Sequence, residues 1–221
     1  MPLRVRGFMV CCAKNCPIKN YGKQGLYKNN QEKITVGNLL NGVFAIAVVV
    51  FIFSPSAKAV LIQGLMKVGL FQPDVSQIIK TSEASDLPEI IFENSDGKNI
   101  NLSDQKGKVV FINFWATWCP PCIAEMPSID ELHEKFKSNK NVFFIMVDTD
   151  HDFSKSVPFI KKHQFTFPVY QANNRIPENL LGSAIPTTVI FDKKGKMVFK
   201  HEGAADYSNP KMPAYLLQLL K

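Results

Sequence analysis

The sequence predicts an α/β domain with a mixed central sheet, preceded by one transmembrane helix. Three observations support this prediction. An uncharged apolar run occupies residues 34–53. From Leu87 onwards, short apolar runs of strand length alternate with segments of helical periodicity. Near the C-terminus, two strand-like segments flank a turn at Gly195, which favours an antiparallel hairpin. Parallel and antiparallel strands should therefore share one sheet.

The net charge of the chain is concentrated in its N-terminal tail. Residues 1–38 contribute +6 of the total +7, so the rest of the chain is nearly neutral. A basic tail next to an apolar run bears on membrane orientation, whereas a nucleic-acid-binding domain would carry its basic residues on the folded face. We therefore expect no nucleic-acid partner.

The apolar run "ITVGNLLNGVFAIAVVVFIF", residues 34–53, contains twenty uncharged residues. At about 1.5 Å per residue it can cross a hydrocarbon core of about 30 Å. Basic residues before it predict a cytoplasmic N-terminus and an exported C-terminal part, in the periplasm or an equivalent compartment. The alternative is a signal peptide that is cleaved near Ala59, because Ala57 and Ala59 are small residues at the positions that a signal peptidase requires. The length of the run and of its tail favours a retained anchor.

Four regions follow from this pattern. A basic cytoplasmic tail occupies 1–33, the anchor 34–53, a juxtamembrane helix and linker 54–86, and the folded domain 87–221. The apolar segment 59–71 is expected to lie at the membrane interface. The alternative is that this segment packs on the folded domain.

The folded domain begins with a strand pattern. "PEIIFENSDGKNINLSD" predicts two short strands around an Asp96-Gly97 turn, hence an N-terminal β-hairpin. "KVVFINFW" is a continuous apolar run, typical of a central strand buried on both faces. After Cys119, apolar residues recur at intervals of three and four, which predicts a helix with one buried face.

The second half repeats these signals. "NVFFIMVDTD" predicts another buried strand and "DFSKSVPFIKKHQF" a second helix. "TTVIFDKKGKMVFKHEG" predicts the hairpin around Gly195, and "PAYLLQLLK" predicts a closing helix. The result is a mixed sheet flanked by helices.

The pair Cys119 and Cys122, in "NFWATWCPPCIAEMP", is the strongest chemical signal. At a strand-to-helix junction, Cys119 would cap the helix, where the helix dipole and free N–H groups lower the pKa of a thiol. Cys122 would lie one turn inside, within reach to resolve a mixed disulfide. Pro120 suits the first helical position because its missing N–H would have no partner there.

A zinc site and a purely structural disulfide are the two other interpretations of the pair. A zinc site needs further ligands, yet Cys11, Cys12 and Cys16 lie on the other side of the predicted span. A purely structural disulfide across two residues would constrain almost no loop and stabilise little. A redox-active disulfide, with no metal and no bound cofactor, is therefore the preferred interpretation.

The segment "FINFWATWCPPCIAEMP" resembles the active-site segment of the thioredoxin superfamily, specifically the membrane-anchored TlpA/ResA/DsbE-like thiol-disulfide oxidoreductases. The resemblance extends from about Leu87 to the C-terminus and implies a thioredoxin-like fold with an N-terminal hairpin extension. It also implies an extra helix and strand between the two halves of the fold. An enzyme of this kind would act on exported proteins with thiols or disulfides and take electrons from a membrane donor.

The resemblance assigns roles to further residues. "AIPTT" resembles the loop with the cis-proline, so Ile185-Pro186 should be cis and face Cys119, beside the substrate chain. Pro127 matches the proline inside the active-site helix. Glu125 matches the active-site glutamate of ResA-like proteins, which tunes the thiols and relays protons.

One departure from cytosolic thioredoxin concerns proton transfer. Asn113 stands where that family has a buried aspartate, and an amide cannot act as a general base. We therefore expect Glu125 to take the proton of Cys122. Trp118, Pro120 and Pro121 should form the substrate-binding surface together with the cis-proline loop, whereas Trp115 should pack in the core.

The two prolines also indicate the direction of electron flow. They remove two N–H groups that could stabilise a Cys119 thiolate, which favours a reducing couple. A reductant of exported proteins, such as apocytochrome c in this family, is the preferred function. The alternatives are a non-catalytic binding module and a peroxiredoxin-type peroxidase, although the Thr-x-x-Cys pattern of the latter is not matched by Thr117.

Overall fold

A computed structural model describes residues 36–68 and 87–221. The predicted basic tail with its three cysteines, and most of the predicted linker, lie outside the described residues. The chain separates into two compact units, Met1–Asn41 and Gly42–Lys221. All contacts discussed below lie within the second unit.

Helix α1, Val36–Phe53, carries no charged residue and every one of its side chains is exposed. Eighteen residues extend about 27 Å at 1.5 Å per residue. Within the described ranges it is the one helix long and apolar enough to cross a membrane, with a mean hydropathy of 2.3. Its length and composition are those expected of the predicted span.

Helix α2, Pro55–Lys67, follows after a single residue. Ser54 caps it, because the Ser54 hydroxyl accepts the N–H of Ala57 at 3.3 Å. Ala59 and Met66 are buried where α2 packs on the folded domain. The predicted interfacial helix therefore has one face docked on the domain, which was the alternative interpretation, and another face exposed.

The folded domain opens with a hairpin, as predicted. Strands β1, Ile91–Asn94, and β2, Asn99–Asn101, pair antiparallel around a turn in which Gly97 has a φ of 77°. Glycine adopts this left-handed conformation without steric cost. The side chain of Asn94 accepts the N–H groups of Asp96 and Lys98, which holds the turn together.

Seven strands form one mixed sheet in the order β2-β1-β5-β4-β3-β6-β7. Strand β3 pairs parallel with β4 and antiparallel with β6, and β5 pairs parallel with β4. The predicted C-terminal hairpin is β6 with β7. The remaining strands are β3 Val109–Trp115, β4 Val142–Asp148, β5 Val169–Ala172, β6 Thr187–Phe191 and β7 Met197–Glu202.

Helices cover the sheet, and two of them match the periodicity of the sequence. Helix α3, Pro120–Phe136, follows β3, and α4, Phe153–His163, follows β4. A short helix α5, Glu178–Leu181, precedes the last hairpin. The closing helix α6, Lys211–Leu219, begins two residues earlier than its sequence pattern indicated.

The core is divided between the two faces of the sheet, and β3 contributes to both. Val109, Phe111 and Trp115 point into the larger apolar cluster, and alternate residues such as Ile112 and Phe114 point into the smaller one. All seven residues of β3 are buried. Since successive side chains of a strand point to opposite faces, burial on both faces accounts for the continuous apolar run.

We expect Phe111→Ala to lower the free energy of unfolding by about 3–5 kcal/mol, because it opens a cavity in the centre of the core. The Phe111 ring lies 5.0 Å from the ring of Phe144 and 5.5 Å from that of Tyr207, between ring centres. Urea unfolding would measure the loss. Ile91→Ala, at an exposed position of β1, is the control and should cost about 0.5 kcal/mol or less. Equal losses in both variants would contradict the assignment of Phe111 to the core.

Candidate active site

The two cysteines lie at the junction between β3 and α3. Cys119 is the N-cap residue of α3, the helix begins at Pro120, and Cys122 lies in its first turn. The two sulfurs are joined in a disulfide with a separation of 5.3 Å between the Cα atoms. Cys122 is fully buried and Cys119 is 3% exposed, so a partner can reach only the sulfur of Cys119.

The sulfur of Cys119 has one backbone donor. The N–H of Cys122 donates to it at 3.3 Å. Pro120 and Pro121 occupy the two positions between them and have no N–H to donate. A helix N-terminus normally offers several free N–H groups to a negative charge, and here two of them are absent.

A loop from the other half of the fold faces the disulfide. The Ile185-Pro186 peptide bond is cis, as the resemblance implied. The carbonyl oxygen of Ile185 lies 3.9 Å from the sulfur of Cys119. The carbonyl oxygen of Pro186 accepts the N–H of Gly203 at 2.8 Å, which ties the loop to the segment after β7. The structure thus brings residues 66 positions apart next to each other.

The two tryptophans near the motif have different environments. Trp115 is fully buried, as predicted, and its carbonyl oxygen accepts the N–H of Thr149 at 2.9 Å. Trp118 is 58% exposed beside Cys119. Its indole Nε1 donates to a carboxylate oxygen of Asp150 at 3.1 Å, which orients the ring from the loop after β4. Trp118 therefore presents apolar area at the edge of the site.

Glu125 is fully buried, one turn beyond Cys122 on α3. One carboxyl oxygen accepts the side-chain amide of Asn113 at 2.7 Å, and the other accepts the backbone N–H of Ala205 at 3.2 Å. Burial raises the pKa of Glu125 to about 8, and the two hydrogen bonds offset only part of that rise. The carboxyl is therefore mostly protonated at neutral pH.

Asn113 connects this glutamate to the sheet. Its amide nitrogen also donates to the hydroxyl of Thr188 at 2.9 Å, and the two residues are register partners across β3 and β6. A carboxylate at position 113 would place a second negative charge against Glu125. The amide instead supplies a donor, which gives the departure from cytosolic thioredoxin a physical reason.

Three groups at the site were not expected from the sequence. Thr188, the N–H of Ala205 and the buried ring of Tyr207 surround Glu125 and Asn113. Burial raises the pKa of Tyr207 well above 10, and the charge of Glu125 adds to the rise. Thr188 follows the predicted cis-proline by two residues, so its strand register could have placed it beside Asn113. Tyr207 has no comparable signal, because only the fold brings its segment to α3.

Comparison with known proteins bears on the family. A model of the Redoxin family matches residues 82–216. The chain belongs to the Redoxin family. Its relatives include the thiol-disulfide oxidoreductase ResA of Bacillus cereus, 34% identical over 144 residues, which are 65% of this chain and 83% of the relative. ResA of Bacillus subtilis is 38% identical over 118 residues, 53% of this chain and 65% of the relative.

The fold is shared with solved structures as well. A structure assigned as the thiol:disulfide interchange protein DsbE of Chlorobium tepidum has a TM-score of 0.54 and 25% identity, and the match covers 62% of this chain and 97% of that one. The protein is thus a thiol-disulfide oxidoreductase of the TlpA/ResA/DsbE-like group with a thioredoxin-like fold.

Glu125→Gln should flatten the dependence of stability on pH in the oxidised protein. The folded state holds the Glu125 proton up to about pH 8, whereas the unfolded state releases it near 4.5. The folded state therefore binds more protons between these values, and stability falls as pH rises, by up to about 1.4 kcal/mol per pH unit. Glutamine carries no such proton. Urea unfolding from pH 5 to pH 9 measures the slope.

The absolute stability of this variant is a poor readout, because the amide N–H₂ of glutamine would face the N–H of Ala205 and one hydrogen bond would be lost. The slope is free of that offset. Glu131→Gln, on the exposed side of the same helix, is the matched control. It leaves Glu125 in place and should therefore retain the slope of stability against pH. An unchanged slope in Glu125→Gln would contradict the assignment.

Proposed function

We propose that this oxidoreductase is exported, anchored by α1, and reduces disulfides in extracytoplasmic proteins through the Cys119-Cys122 dithiol. The observation that carries the proposal is the sulfur of Cys119, which has one backbone N–H donor at 3.3 Å and two prolines in place of others. A thiolate with few donors is poorly stabilised, so the reduced enzyme readily gives up its electrons.

The proposed reaction starts from the dithiol. The Cys119 thiolate attacks one sulfur of a substrate disulfide, and the other substrate sulfur leaves as a thiolate and takes up a proton. Cys122 then loses its proton and attacks the sulfur of Cys119, which expels the second substrate thiol. Two electrons pass from the enzyme to the substrate, the two enzyme sulfurs carry them without a bound cofactor, and the enzyme ends as the disulfide.

Glu125 is proposed to accept the proton of Cys122. Positions three apart on a helix are neighbours, so the carboxyl lies on the same side of α3 as the buried thiol. Its pKa of about 8 is close to the usual thiol value of about 8.5, so a proton can pass between them at little cost. Asn113 cannot take this role, but its amide holds the carboxyl in place.

Substrate binding is proposed at the surface around Cys119. Trp118 supplies apolar area there, and Pro120 and Pro121 form the adjacent edge of the helix. The Ile185-Pro186 loop faces the same sulfur and presents its backbone, which an extended substrate chain can pair with. Nearly complete burial of Cys119 means that a client must present its disulfide in an exposed, extended segment.

The proposed location follows from α1 and from charge. An uncharged helix of this length with a basic tail before it favours a cytoplasmic N-terminus and an exported domain. The burial of Ala59 and Met66 on the domain supports a retained anchor over cleavage near Ala59, since α2 is part of the folded unit. In an oxidising compartment the dithiol needs a membrane electron donor, and apocytochrome c is a candidate client from the family resemblance.

The reduction potential of the site should be about −180 mV or lower. Protein disulfide isomerase has a potential of about −180 mV and thioredoxin one of about −270 mV. The full chain with Cys11, Cys12 and Cys16 replaced by serine, equilibrated with glutathione, would give the value. A potential above about −150 mV, near the strong oxidants, would overturn the proposed direction.

Pro121→Ala tests the physical cause. It restores one N–H near the sulfur of Cys119, and a hydrogen bond to a charged group is worth about 1.5–3 kcal/mol. The potential should therefore rise by about 30–60 mV. Pro127→Ala, deeper in the same helix, is the control and should leave the potential nearly unchanged. A lower potential in Pro121→Ala would contradict the argument from missing donors.

Cys122→Ser should trap the client. Cys119 would still attack, but without the resolving thiol the mixed disulfide would persist and could be identified by mass spectrometry. Cys119→Ser is the control and should trap nothing, because the remaining thiol is buried. Full biological activity of the Cys119→Ser/Cys122→Ser double variant would favour the alternative of a non-catalytic binding module, and efficient peroxide turnover by the native protein would favour a peroxidase.

A further inference from the structure

Helix α2 has a second apolar face that the folded domain does not cover. Ala59 and Met66 pack on α3, but five residues at helical spacing point away from the domain. These exposed residues are Val60, Leu61, Gly64, Leu65 and Val68. Their spacing of i, i+1, i+4, i+5 and i+8 places them in one stripe along the helix.

This exposed stripe of α2 differs from the surface of the rest of the domain. Between residues 87 and 221 the large exposed apolar side chains are single residues, namely Ile91, Trp118 and Leu217. Along α2 and its C-cap residue Val68, by contrast, Val60, Leu61, Leu65 and Val68 are 66%, 53%, 38% and 72% exposed and follow one another along the stripe. Single exposed apolar residues are normal in soluble proteins, whereas a contiguous stripe marks a contact with a partner or a membrane.

We propose that this stripe lies in the lipid-water interface and holds the active-site helix at the membrane surface. The proposal rests on the anchoring proposed above. Three features favour lipid as the occupant. Only Ser54 separates α2 from α1, so the stripe, which begins at Val60, follows the predicted span after six residues. No acidic residue occurs in α2, and Lys58 supplies a basic charge of the kind that interfacial helices direct to anionic headgroups, whereas Lys67 lines a cleft with Glu131 and Asp206 of the domain.

A second copy of the chain fits the stripe less well. A stable protein interface uses about 20–30 residues on each side, whereas this stripe offers four apolar side chains along a helix of about 20 Å. A lipid surface has no such requirement, because each apolar side chain gains from insertion independently.

The contact with α3 transmits the position of α2 to the dithiol. Ile123 and Ala124, which α2 covers, lie four and five residues after Cys119. At 1.5 Å per residue this is about 6–8 Å along the helix axis. A helix seated in the interface would therefore keep the dithiol close to the bilayer, where it favours client disulfides near the membrane surface over those in bulk solution.

Quenching of tryptophan fluorescence tests the proposal. The full chain is reconstituted in vesicles of phosphatidylcholine and phosphatidylglycerol whose acyl chains are brominated near the headgroup end. Leu61→Trp should lose roughly half or more of its added fluorescence, since interfacial helices bury their apolar face about 5–10 Å deep. The unsubstituted chain in the same vesicles gives the baseline of Trp115 and Trp118.

Three further variants decide the outcome. Val60→Trp, on the same stripe, should be quenched likewise and guards against a local effect of Leu61→Trp. Leu217→Trp, at a residue that is also 53% exposed but on α6, is the matched control and should not be quenched. Phe51→Trp reports on α1. Quenching at Phe51 without quenching at either stripe position would overturn this proposal and leave the anchor standing.

Two other outcomes would also contradict the proposal. Absence of quenching at Phe51 and at the stripe would overturn the proposed anchoring together with the interfacial helix. Equal quenching at Leu217 and Leu61 would show that the domain lies on the membrane by another face, which contradicts the assignment of α2.

Discussion

The position of the dithiol depends on the burial of β3 on both faces of the sheet. A strand enclosed in this way has no freedom to shift its register, since a slip of one residue would exchange the two sets of core side chains. The strand therefore fixes the position of Asn113 within the sheet, and it fixes the start of the short segment that leads from Trp115 to Cys119. Helix α3 then starts at Pro120 and carries Cys122 and Glu125 inwards.

Burial also determines the chemistry of Glu125. An ionised carboxyl in an apolar environment is costly, and the proton it retains up to about pH 8 is the consequence. The donors from Asn113 and Ala205 make the ionised form accessible without making it dominant. The carboxyl can therefore change its charge in the pH range where thiols do. The burial that causes this also makes the folded state less stable.

The sequence predicted the parts of the fold that leave a local pattern. The apolar run of β3, the periodicity of α3 and the hairpin of β6 and β7 are such patterns, and the cis bond at Pro186 followed from the family resemblance. Strand β5 has only four residues and α5 only four, too few for periodicity to identify them. The family resemblance implied an extra helix and strand here without giving their bounds.

The site was predictable to a similar degree. Cys119 and Cys122 are identified by a short motif, and Pro186 and Glu125 by the family resemblance. The direct contact between Glu125 and Asn113 was not predicted, although both residues were singled out. Such a contact depends on the angle at which α3 crosses the sheet, and no local pattern encodes that angle. Tyr207 was missed for the same reason.

The docking of α2 has a practical consequence for work on soluble fragments. A fragment that begins at Leu87 contains the whole sheet, the disulfide and Glu125, and so looks like a complete domain. It lacks the cover over Ile123 and Ala124, and it would leave an apolar surface beside the catalytic helix open to water. Self-association measured on such a fragment would then result from the truncation and not from the native protein. A longer fragment that retains α2 would instead expose the apolar stripe of α2. Detergent or a lipid disc, with the chain left whole, avoids both artefacts.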